Sequence, residues 1–198
     1  MRFEFATATR VLFGPGTFRE AAPLARELGQ RALLVTGRSA ARAQPLGAAL
    51  QGVGIDHRLF AISGEPTTRD VEAGVEVARR EGCDCVIALG GGSAIDGAKA
   101  IAAMLANPGE LLDYLEVVGR GQPLSRPAAP WMAIPTTAGT GAEVTRNAVL
   151  ASPSHQVKAS LRSPLLLPRL ALVDPDLTHG LPPALTASSG LDALTQLI

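Results

Sequence analysis

The sequence has little that is charged, aromatic or sulfur-bearing. Cysteine occurs only at Cys83 and Cys85, too few for a disulfide framework or a cysteine-based zinc site. Aromatic residues make up 4% of the chain, with one tryptophan and one tyrosine. Charged residues are 18%, and Lys+Arg and Asp+Glu stand at 18 each, for a net charge of +0. That balance argues against a protein that binds nucleic acid by neutralising phosphates. No apolar run reaches the ~18 residues of a membrane helix. The opening MRFEFATATR lacks the apolar block of a signal peptide. Lysine is nearly missing: Lys99 and Lys158 are the only two, and the other basic residues are arginine. With the many alanines, this reads as compositional bias without functional meaning. The expectation is a soluble cytoplasmic protein that meets neither nucleic acid nor membrane.

What is present is a globular core. Hydrophobic residues are 46% of 198, which excludes a mostly solvated, disordered chain. Dividing the length by ~150 gives one domain and a fraction.

Short apolar runs alternate with longer amphipathic ones. Strands are expected at Phe3–Phe5, Arg10–Phe13, Arg31–Thr36, Asp56–Ile62, Cys83–Leu89, Trp131–Ile134 and Leu170–Val173. Helices are expected at Thr17–Leu28, Pro45–Gly52, Thr68–Glu81 and Ser93–Leu105, with a proline-thinned loop between Gln122 and Pro135. Strands apolar on both faces belong in parallel sheets covered by helices on each side. The succession therefore predicts an α/β, doubly wound, mostly parallel sheet of Rossmann-like type. Leu181-Pro182-Pro183 reads as a boundary that divides 1–181 from 182–198. After it, Leu191, Leu194 and Leu197 form an apolar stripe with no helix stop behind them. The expectation is a chain cut short at the start of an all-helical domain.

The strongest local signal is Leu89-Gly90-Gly91-Gly92-Ser93-Ala94-Ile95-Asp96, between an apolar strand and a helix. Glycines let a ligand approach the backbone closely. The free N–H groups at a helix start suit a pyrophosphate. Ser93 is placed to cap the helix and to bind a phosphate oxygen, with Asp96 spaced as in a capping box. An ordinary tight turn would look similar. The loop is neither GxGxxG, since Ile95 stands where a small residue is needed, nor a Walker A loop. A second candidate is the turn Pro135-Thr136-Thr137-Ala138-Gly139-Thr140-Gly141, at the carboxyl end of a strand. Ligands of open α/β sheets gather at that rim. Its hydroxyls can bond ribose, phosphate or amide groups, or simply their own backbone.

Five motifs occur in order: FGPG (Phe13–Gly16), GGGSAID (Gly90–Asp96), PTTAGTGAEVT (Pro135–Thr145), LVDPDLT (Leu172–Thr178) and GLDALTQ (Gly190–Gln196). Together they resemble the N-terminal portion of the iron-containing, or group III, alcohol dehydrogenases. The superfamily also holds maleylacetate reductases and glycerol dehydrogenases. The resemblance implies an NAD(P)-dependent oxidoreductase that moves hydride between nicotinamide and an alcohol, aldehyde or ketone, assembled as a homodimer or larger homo-oligomer. It implies that Gly91, Gly92 and Ser93 contact the pyrophosphate and that Thr136, Thr137 and Thr140 line the cofactor groove. It also implies that Asn147 and Lys158 reach the ribose–nicotinamide end. Read by itself, Lys158 is a solvated loop lysine. At Gly37, after RALLVT, NAD-preferring members carry an acidic residue; here Arg38, Ser39 and Arg42 follow instead. Without that carboxylate a 2′-phosphate is not repelled, and guanidinium groups stand near it, so the expectation leans to NADP.

The resemblance also implies a divalent metal, Fe2+ or Zn2+, held partly by an Asp-x-x-x-His pair. Asp192 matches its first position, but Gln196 stands where the histidine is expected, and an amide oxygen is a weaker ligand than imidazole. His57, His155 and His179 read as surface residues, and Cys83 and Cys85 as sharing one face of a buried strand. When bound, the metal would polarise the alcohol or carbonyl oxygen. Alternatives are a maleylacetate-reductase-like enzyme, a dehydroquinate-synthase-like lyase, or a non-catalytic nucleotide-binding fragment. These residues alone are expected to bind dinucleotide weakly and to catalyse nothing.

Overall fold

A computed structural model describes residues 2–198. In chain order the elements are β1 (Val11–Phe13), α1 (Ala21–Ala25), β2 (Arg31–Thr36), α2 (Gln44–Gly52), β3 (Asp56–Ala61), α3 (Thr68–Arg80), β4 (Cys85–Gly90), α4 (Gly92–Ala106), α5 (Leu111–Tyr114), β5 (Trp131–Pro135), β6 (Asn147–Ser152), β7 (Val157–Arg162), β8 (Leu170–Val173) and α6 (Pro183–Thr195). Six strands form one sheet in the order β1-β8-β5-β4-β2-β3, and every pair is parallel. β6 and β7 make a separate antiparallel hairpin.

The central strands are apolar on both sides because both sides are covered. Along β2, Leu33 and Val35 face one core and Ala32 and Leu34 the other. The first core is closed by α3 and α4 through Val71, Ala78, Ile95 and Ile101. The second is closed by α1 and α2 through Ala25, Leu46 and Leu50. This is the expected doubly wound α/β architecture. α4 lies close to its neighbours because its inward positions are small. A Cβ on Gly97 would sit 2.1 Å from Ile62 Cδ1. α3 starts where Thr67 and Asp70 cap each other reciprocally, a strong helix start.

The structure corrects several expectations. Phe3–Phe5 is not a strand; both phenylalanines are exposed, and the segment lies against residues 144–147, where Glu4 pairs with Arg146 at 3.6 Å. Thr17–Leu28 is not one helix but a 3-10 turn (Thr17–Glu20) followed by the five-residue α1. Pro23 lacks the N–H that would carry the helical ladder through this segment. Cys83 precedes β4, where its N–H donates to Ala78 O at 2.8 Å, so the two thiols do not share a strand face. His57 is half-buried, with its ring beneath Gly47 and a buried Nδ1 that lacks a partner. Lys158 stands in β7, not in a loop, although it remains exposed as expected. Ser93 does not cap α4. Gly91 takes that position without a side-chain bond, and Asp96 turns inward.

Candidate functional site

Chain order runs outward from β2 to β3, then returns to β4 on the other side of β2. Such a reversal opens a crevice at the carboxyl ends of the strands. Thr36 lies beside Leu89 there, and Gly90 beside Pro135. The three segments leaving this rim are Gly37–Ser39, Gly90–Ser93 and Thr136–Thr140, and they meet. Thr136 N–H donates to Gly90 O at 2.9 Å. A Cβ on Gly91 would stand 3.1 Å from Thr137 Oγ1, and one on Gly92 would stand 3.0 Å from Thr140 Cγ2. Glycine at both positions lets the threonines sit this close to the mouth of α4; a Cβ would press each of them back by a few tenths of an ångström.

That mouth is an open set of donors. The ladder of α4 begins with Ile95 N–H donating to Gly91 O at 3.1 Å. The N–H groups of Gly92, Ser93 and Ala94 precede it and have no partner within the helix. A fifteen-residue helix adds partial positive charge at the same place. An anion bound here meets bare N–H groups and threonine hydroxyls together, so the residues fit a diphosphate.

Two clefts flank this mouth. The first, about 580 Å³, is lined by Gly37, Arg38, Ser39, Arg42, Gly91, Thr136 and Thr137 among others. The second, about 670 Å³, is lined by Gly92, Ser93, Thr140, Asn147, Lys158, Asp192 and Gln196 among others. The eleven residues singled out in the sequence thus line one cleft or the other. Charge differs between the clefts. The first carries two arginines and Asp176. The second carries Glu65, Asp96 and Asp192 against Lys158, whose ammonium already pairs with Glu65.

α6 closes the second cleft by docking on the threonine turn. Gly139, at φ +97°, has no room for a side chain: a Cβ there would meet Ser189 O at 2.6 Å and Asp192 Oδ2 at 2.8 Å. Gln196 Nε2 donates to the Gly139 carbonyl and lies 3.4 Å from Asp192 Oδ1. The carbonyl demands a donor, which turns the amide nitrogen toward it. Among the described residues no three His, Cys, Asp or Glu side chains gather as a metal site. Asp192 and Gln196 are adjacent, but alone they do not complete one.

Sequence reasoning missed the floor of the second cleft. Lys99, on α4, is fully buried. Its Nζ donates to Asn147 O at 2.7 Å, Ala142 O at 2.8 Å, Thr145 O at 3.0 Å and Thr145 Oγ1 at 3.3 Å. Asp96 Oδ1 lies 3.5 Å away, and its Oδ2 accepts from Val149 N–H at 3.2 Å. The Trp131 ring lies below, its centroid 6.0 Å from Nζ, at the limit of a cation–π contact. Burial lowers the ammonium to about 8 against the pull of Asp96, and burial raises the Asp96 carboxyl against the pull of Lys99. Desolvating an ammonium costs several kcal/mol, so its partners have to offset a real penalty. The available signal was a lysine in AIDGAKAIAAMLA, a helix with no polar face to receive it.

The iron-containing alcohol dehydrogenase family matches residues 8–175. Alcohol dehydrogenase 4 of Schizosaccharomyces pombe is 36% identical over 192 residues, covering 94% of this chain and 44% of the relative. The crystal structure of a 1,3-propanediol oxidoreductase superposes with a TM-score of 0.89 at 35% identity, covering 98% of this chain and 51% of that one. Sulfoacetaldehyde reductase from Bifidobacterium kashiwanohense, solved in complex with NAD+, gives 0.90 at 35% identity, covering 99% and 52%. The chain spans about half the length of the curated relatives it matches. With the family match running over residues 8–175 and solved structures superposing over nearly the whole chain, the chain belongs to the iron-containing alcohol dehydrogenase family.

Proposed function

We propose that this chain is the coenzyme-holding part of an oxidoreductase that moves hydride between a nicotinamide dinucleotide and an alcohol or carbonyl compound. The carrying observation is the open N–H mouth of α4, set between two clefts of molecular size. In this reading Gly91, Gly92 and Ser93 take the diphosphate, with Thr136, Thr137 and Thr140 beside it. The adenosine half enters the cleft at Gly37. The nicotinamide half enters the cleft at Asn147 and Lys158. Residues 1–181 form the coenzyme unit and 182–198 belong to a second, helical one. When bound, the coenzyme supplies the hydride; these residues orient it and hold its diphosphate.

The relative solved with NAD+ supports a nicotinamide coenzyme. For the choice between NAD and NADP we propose NADP. Gly37 presents no carboxylate to a 2′-phosphate, and Arg38 and Arg42 line the same cleft. The acidic second cleft supports an uncharged alcohol or carbonyl over a maleylacetate-like anion. A divalent metal at Asp192 would need ligands besides Gln196.

Calorimetric titration with NADP+ and NAD+ tests the reading. NADP+ is expected to bind more tightly, and Gly92→Val, which forces a side chain against Thr140, is expected to weaken both by at least about tenfold. Tighter NAD+ binding would refute the NADP assignment. Unaltered binding by the valine variant would refute the helix-mouth site.

A further inference from the structure

We propose that Lys99 is a positioning residue for the nicotinamide half of the coenzyme: its buried ammonium, rising from α4, holds Ala142–Asn147 in place as a wall of the second cleft. The inference rests on the dinucleotide reading above.

The wall is tied at its ends by Val144 N–H donating to Gly141 O at 3.0 Å and Ser163 N–H donating to Arg146 O at 3.0 Å, with an Arg146–Glu4 ion pair at 3.6 Å; Lys99 is the group that binds three of its carbonyls from one atom. Between Thr136, tied to Gly90, and Asn147, the first residue of β6, the chain lies outside both sheets. Gly139 and Gly141 both take positive φ, which turns the chain sharply into the wall. Lys99 collects a carbonyl from Ala142, Thr145 and Asn147 in turn, and the Thr145 hydroxyl besides. Each of these three residues lines the second cleft, and none lines the first. Asp96 extends the grip to the Val149 N–H. The charges that act on the ammonium are Asp96 on α4 and Glu143 on the 142–144 turn. A lysine kept only for packing would not spread its donors along the lining of one cleft.

Location gives the test. Removing the grip should loosen the nicotinamide half and spare the adenosine half. For Lys99→Met, folded by circular dichroism, Kd for NADP+ is expected to rise roughly tenfold, on the scale of one lost charge-assisted hydrogen bond, while Kd for ADP stays as in the unaltered protein. Thr145→Val, which removes one hydroxyl partner, is expected to show the same selectivity at about threefold. It decides the matter if the methionine variant does not fold. A purely structural role predicts either no change or an equal loss for both ligands, and either result in the folded variant would overturn the proposal. An unaltered protein that binds neither NADP+ nor NAD+ would overturn the dinucleotide reading, and this inference with it. Normal binding with unselective variants would overturn this inference alone.

Discussion

Lys99 and Cys85 occupy opposite sides of β4, each buried in a different core region, and each ties stability to pH. Burial lowers Lys99 from 10.5 to about 8. Between those values the unfolded chain binds the extra proton, so stability rises with pH from about 8 to 10.5. Burial pushes the Cys85 thiol from 9.0 up to about 12, with Asp84 adding to the shift. The unfolded chain releases that proton first, so stability falls from 9.0 toward about 12. Together the two groups give a rise from about 8 to 9, a level stretch to 10.5, and a decline beyond it. Urea midpoints measured across this range check the profile, and Cys85→Ala should shrink the final decline. A flat midpoint between pH 8 and 9 would contradict the Lys99 contribution. At this scale the sequence was legible where glycine permits a close approach, as at Gly91 and Gly92 beneath Thr137 and Thr140. It was not legible at Lys99, because counting lysines conceals where one of them points.

The threonine turn and α6 act as one unit at the scale of elements. Asp192 and Gln196 share a face of α6, one turn apart, and that face sits over Gly139. Gln196→His would place an imidazole beside the Asp192 carboxylate, and a second strong ligand raises affinity for a divalent ion. Equilibrium dialysis with Zn2+ should show tighter binding by this variant than by the unaltered chain. Equal binding would mean that the Gly139 contact, not the missing imidazole, sets the behaviour of position 196. Other elements were hard to read for local reasons. The β6–β7 hairpin is written in alanine, serine and valine (NAVLAS and VKASLR), a weak strand signal on its own. It is held from outside, by Ala151 N–H donating to Pro66 O at 2.8 Å and by pairing to its own partner strand. α1 looked longer than it is because apolar spacing runs from Phe18 to Leu28, while Pro23 has no N–H to bond back to Arg19 and join the 3-10 turn to the helix.

The whole molecule follows from strands that are buried on both faces. This property was legible: RALLVT, CVIALG and WMAIP have no polar face to offer water. The neighbour order β1-β8-β5-β4-β2-β3 was not, since it depends on pairings between segments far apart in the chain. The meeting of the glycine and threonine segments at the rim was legible because each is a short loop at a strand end. Asp192 and Gln196, the two candidate ligands, lie together in the second cleft, but among the described residues no three His, Cys, Asp or Glu side chains gather there. On the reading proposed above, we expect these 198 residues to bind coenzyme without turning over an alcohol, since they span about half the length of the relatives they match. Absorbance at the reduced-nicotinamide band, followed with alcohol against a coenzyme-only blank, checks this, and a rise above the blank would refute it.

The partition of the rim into two chambers by the mouth of α4 has a consequence for what lodges there. A guest that spans both must straddle a narrow sill, anchored in the middle and free to settle one end before the other. On the coenzyme reading proposed above, AMP in the arginine-lined chamber and nicotinamide mononucleotide in the acidic one would together bring two phosphates to the sill, and each would leave the other's chamber open.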